Sequence, residues 1–152
     1  MDPLTRELQR LVEHSVWANQ QWIEYVYAQP DGETRPKELL GHIVTGERIW
    51  FDRVLNEQQP RQPFPVWEKA ELLRGLEANR QTYLKLIAGR LEDVIHFRRV
   101  SGDEYHCRVA DVIHHLITHG YHHRGQLATH YGRKGVAYPN TDHINYLLVN
   151  KL

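Results

Sequence analysis

The stretch ADVIHHLITHGYHHRGQLATHY, residues 110–131, decides the fold. Wound at about 100° per residue, Val109, Val112, Ile113, Leu116, Ile117, Gly120, Leu127 and Tyr131 share one broad apolar face. The segment therefore predicts a long amphipathic helix, ended by Gly132 and Gly135. The same winding sorts its crowded histidines. His123 falls about 50° from the centre of the apolar face and His119 about 90°, whereas His115 and His122 fall roughly 130° and 150° away, toward solvent. His119 and His123 are then an i, i+4 pair, one turn apart and able to meet at one ion. The more specific HExxH form, with its glutamate, is absent. The pair alone thus leaves two roles open, metal binding and hydrogen bonding at the edge of a core.

Three more helices flank this one. Residues 3–28 place Leu4, Leu8, Leu11, Ser15, Ala18, Trp22 and Val26 three and four apart, up to the Pro30-Asp31-Gly32 loop. A second helix is expected from Thr34 and Pro36, with Thr34 as cap, to about Leu55. The proline- and glutamine-rich NEQQPRQPFP reads as a loop, and VWEKAELLRGLEANRQTYLKLIAGR as a third helix ending at Gly89. DVIHFRRVSGDEYHCRV alternates about a Ser-Gly-Asp turn, a β-hairpin between Val94 and Val109. A short last helix starts near Asp142. These elements predict an all-α fold: one domain over 1–152, an up-down four-helix bundle with a hairpin before the last long helix and a short C-terminal helix.

Composition narrows function. Nineteen basic residues balance nineteen acidic ones, which argues against binding to nucleic acid or an anionic membrane surface. Cys107 is the only cysteine, so a disulfide framework and a thiolate cage for zinc are both excluded, and any metal chemistry must use nitrogen and oxygen. No apolar run approaches the roughly 20 residues of a membrane span, and MDPLTRELQRLVEH lacks a signal peptide's apolar block, so the expected location is cytoplasmic.

A third ligand would have to come from another helix. His42, in GHIVTGE, sits at the edge of its helix's buried stripe among Leu39, Ile43, Gly46 and Ile49, a position that suits a core histidine as well as a ligand. His14, His96 and His106 are expected to be structural or solvated, and His130 is a weaker fourth candidate. Glu47 projects into the apolar stripe between Ile43 and Trp50, as Asn19 does on the first helix. A buried carboxylate is costly unless paired. Glu47 is either hydrogen-bonded structurally or a general base close to a metal. Arg124 and Gln126 border the candidate ligands; Arg124 can pair with a buried acid such as Glu47 or bind an anionic substrate group.

With WANQQW (17–22), LLGHIVTGERIWFDRV (39–54), HHLITHGYHHRGQL (114–127) and YPNTDHINYL (138–147) in order, the chain resembles the DinB and YfiT-like family of metal-dependent proteins over nearly its whole length. The most specific part, THGYHHRGQ, is similar to that family's NHxxxHRGQ block, with Thr118 in place of the asparagine. The resemblance implies a divalent ion, nickel or zinc, on His42, His119 and His123. It further implies a hydrolase or a transferase of a low-molecular-weight thiol acting on a small-molecule substrate, and a homodimer; in such an enzyme the buried carboxylate of Glu47 is the first candidate for proton transfer. A non-enzymatic metal-binding or stress-response module is the rival reading.

Overall fold

A computed structural model describes residues 1–152 and contains five helices and one two-stranded sheet. Helix α1 spans Pro3–Tyr27, where Asp2 caps the first turn by accepting from the Thr5 amide and Pro3 occupies the position that needs no N–H. Helix α2 spans Thr34–Leu55 and ends at Asn56, which takes the left-handed conformation, φ 57°. Helix α3 covers Lys69–Gly89, β1 Val94–Arg98, β2 Glu104–Arg108, α4 Val109–Arg133 and α5 His143–Asn150. The strands pair antiparallel, Val94 opposite Arg108 and Arg98 opposite Glu104. Between α1, α2, α3 and α4 lies one core, with Trp22, Phe51, Leu72, Ile113 and Tyr131 almost fully buried.

Two local expectations change. Thr34 is the first residue of α2, not its cap; Glu33 holds that place without capping, because its carboxylate instead bonds Lys134 and His130 of the facing helix. Helix α3 starts at Lys69, three residues later than expected, because the Trp67 carbonyl is engaged by the Tyr27 hydroxyl and holds the preceding segment off the helix.

The directions of the helices also depart from simple alternation. Glu13 meets Arg80 and Glu24 meets Lys69, so α1 and α3 are antiparallel. Asn79 bonds Val44, and Arg90 reaches the Val54 carbonyl, so α2 and α3 are parallel. His42 meets His119 and Glu33 meets His130, so α2 and α4 are antiparallel. The order is up, down, down, up. Residues 56–68 make this possible by running back along α2, and the close approach needs Gly41: a Cβ there would stand 1.9 Å from the Pro65 carbonyl oxygen. The returning loop is anchored by Arg61, whose guanidinium donates to both oxygens of the buried Asp52 at 2.5 and 3.1 Å.

Candidate metal centre

The antiparallel α2 and α4 bring His42 opposite His119 and His123. The Nε2 atoms of His42 and His119 are 3.2 Å apart, and those of His123 and His119 are 3.0 Å apart. All three residues offer a ligand atom within 4.8 Å of one another. Three nitrogens each about 2.0–2.1 Å from one ion stand about 2.9–3.4 Å apart at the usual coordination angles, so these two separations fit a shared cation.

The outer ring nitrogens fix which tautomer faces inward. His42 Nδ1 lies 2.7 Å from the Pro63 carbonyl oxygen, which can only accept, so Nδ1 carries a proton and, in the neutral ring, Nε2 is left with the lone pair. His123 Nδ1 likewise donates to Gln126 Oε1 at 2.7 Å. Phe64 stacks on the His42 ring at 4.0 Å between centroids, holding its plane. His119 packs against Gly46, where a Cβ would come within 3.2 Å of its Cε1. A neutral His119 has one proton to offer and two lone pairs to meet. Adding a second proton is resisted: burial, then the neighbouring His123 and His42, hold its pKa down at about 4. Burial also lowers that of His123. A cation satisfies all three nitrogens together, whereas a single shared proton leaves one pair of lone pairs opposed.

The other candidate residues are placed as follows. His122 and His115 are exposed, as the helical winding predicts. His130 bonds Glu33 and stays out of the cluster. His14 is fully buried and structural, with Nε2 2.8 Å from the Thr141 carbonyl and Nδ1 2.8 Å from the Tyr121 hydroxyl. His96 and His106 face each other across the hairpin. Thr118 turns back on its own helix, donating to the His114 and His115 carbonyls.

Glu47 does not join the histidines. One carboxylate oxygen accepts from Asn79 Nδ2 at 2.8 Å and the other from the Tyr83 hydroxyl at 3.0 Å, both on α3. It is five residues beyond His42, and its carboxylate is not among the atoms that converge at His42, His119 and His123. Burial raises its pKa to about 7 against those two hydrogen bonds. Nor does Arg124 pair with Glu47, one of the two roles its position allows. Its Nη1 donates to Asn19 Oδ1 at 2.8 Å, and its guanidinium lies 4.8 Å over the Tyr121 ring. Of Arg124 and Gln126, only Gln126 bonds one of the three histidines.

Sequence reading missed Pro63, Phe64 and Gly41, the residues that seat His42. A signal for them existed: glycine inside a helix costs about 1 kcal/mol relative to alanine, so Gly41, next to a candidate ligand, calls for a packing reason.

A helical bundle with three converging imidazoles, joined by no thiolate or carboxylate, is the class of protein that fold and site define. The DinB family model matches residues 4–150, and the chain belongs to the DinB family. A comparison with curated proteins finds no match. No helix is long and apolar enough to cross a membrane.

Proposed function

We propose that this chain holds one divalent ion, nickel or zinc, on the Nε2 atoms of His42, His119 and His123, and uses it to hydrolyse a small molecule or to transfer a low-molecular-weight thiol to one. The observation that carries this reading is the convergence of the three Nε2 atoms with two outer nitrogens pinned by acceptors. An ion on three neutral imidazoles keeps its full charge and lowers the pKa of a water or thiol bound to it, supplying a nucleophile near neutral pH. The chain's own contribution is to orient the imidazoles and to keep protons off His119 and His123. Pro63 and Gln126 fix two tautomers, Phe64 and Gly46 fix two ring planes, and burial keeps protons off His119. The thiol comes from solution, since Cys107 lies on β2, away from the cluster.

Elemental analysis of untagged protein is expected to find about one divalent ion per chain. The ion should be lost in His42→Ala, His119→Ala and His123→Ala and kept in His122→Ala. Protein that stays metal-free after incubation with nickel and with zinc refutes the reading. Metal-loaded and chelated samples are then assayed against ester, amide and thiol-plus-electrophile panels. Turnover only in the loaded sample supports an enzyme, and silence on every panel refutes catalysis in favour of a non-enzymatic metal-binding module.

A further inference from the structure

Beside the cluster runs a groove of about 790 Å³ between the N-terminal turns of α2 and the C-terminal half of α4. It shares a wall with the candidate metal centre: Leu39 lies one turn before His42, and Gln126 both lines the groove and accepts from His123. No carboxylate lines it.

Its polar lining is rich in donors. The Oε1 of Gln126 is occupied by His123 Nδ1, which leaves the Nε2 amide hydrogens to the groove. Arg133 has no carboxylate within 4.0 Å. Arg35 touches Glu38 at 3.4 Å only, and its guanidinium lies 5.3 Å over the ring of Phe64, the same ring that stacks on His42. Lys134 and His130 also line the groove, but Asp31 and Glu33 already engage them, so neither counts as free positive charge. Two guanidinium groups and an oriented amide, facing a groove without acidic walls, suit an anionic oxygen group. Seven residues of helix separate Arg35 from His42, and ten separate Arg133 from His123, or about 10 and 15 Å of axis. Allowing for the reach of the arginine side chains, the anion would sit about 10 Å from the cluster.

We infer that the groove seats the carboxylate or phosphate end of an elongated small molecule whose reacting end lies at the histidine cluster. The second half of this statement rests on the metal-site reading; the first stands on the groove alone.

Inorganic phosphate and succinate, titrated separately at constant ionic strength, serve as probes, with the Arg Nε–H and Gln126 side-chain amide signals followed by NMR. At least one anion should bind, moving the Arg35, Arg133 and Gln126 signals together, and the stronger probe tells phosphate from carboxylate. In Arg35→Gln/Arg133→Gln, two exposed positions whose replacement spares the core, its affinity should fall at least fivefold. The hairpin variant Arg99→Gln should change it less than twofold. Wild-type protein treated with chelator, in which every groove residue is intact, should also bind within twofold of the untreated protein. Failure of both anions to bind, or equal affinity in the double variant, overturns the groove assignment even if the ion is present. Phosphate or succinate binding as predicted in a chain that takes up no metal would instead preserve the groove and sink the metal reading.

Discussion

Replacing Glu47 by glutamine should make the protein more stable above neutral pH while leaving its fold intact. Glu47 is 3% exposed and its pKa is raised from 4.5 to about 7, chiefly by burial, with Asn79 and Tyr83 opposing the rise. The folded chain thus holds this proton more tightly than the unfolded chain does. Its favourable contribution is complete below pH 4.5 and is lost as pH rises through about 7. At about 1.4 kcal/mol per pH unit, the loss amounts to about 3 kcal/mol, a sizeable part of the 5–15 kcal/mol that stabilises an ordinary domain. Glutamine keeps the shape and carries no charge to desolvate. Its oxygen can still accept from Asn79, and its amide can donate to the Tyr83 hydroxyl, which reverses its role. Urea denaturation of both proteins from pH 4.5 to 9 measures the difference directly. The variant's advantage should grow between pH 5 and 7 and level off above it, reaching about 3 kcal/mol relative to its value at pH 4.5. A difference that does not vary with pH would refute the reasoning, because it would mean that Glu47 titrates alike in the folded and unfolded chains.

Three further outcomes are expected. Gly41→Ala should displace the returning loop, since the new methyl would meet the Pro65 carbonyl, with a stability loss of about 1–3 kcal/mol by thermal melting. Metal affinity should fall as well, although no ligand is altered. Gln126→Ala removes the acceptor of His123 Nδ1 and should weaken metal binding ten- to a hundredfold by competitive chelator titration, with unchanged circular dichroism. Free metal at about 1,000 times its dissociation constant should stabilise the native chain by about 4 kcal/mol, seen as a melting temperature that drops on adding chelator in the wild type and does not move in His119→Ala.

The parts of the fold legible in the sequence are those written locally. The apolar stripe of residues 109–131 sets which side of α4 is buried, and it correctly turned His123 inward and left His122 in solvent. The pairing of His119 with His123 follows from the same winding, because both belong to one helix. His42 belongs to another, and its stripe position suited a core residue equally well; only the family resemblance joined it to the pair, and the antiparallel packing of α2 on α4 then brought it there. Helix directions were illegible for a related reason. Whether residues 56–68 turn sharply or run back along the bundle depends on contacts of Gly41, Asp52 and Tyr27, of which Gly41 and Tyr27 are distant in sequence from the loop residues that meet them. Glu47 was visible as a buried acid, but its partners Asn79 and Tyr83 lie more than thirty residues away on α3.

Pro65 passing over Gly41 has a consequence for anyone who would move this centre elsewhere. Three histidines at matching positions of another four-helix scaffold would reproduce the donor atoms but leave the first imidazole free to spin and to choose its tautomer. Its orientation here comes from a strap of chain that exists only because two neighbouring helices run the same way and one residue beside the ligand has no side chain. The transplantable unit is therefore α2 together with the strap that follows it, residues 34–68, and α4 is the partner they were shaped to meet.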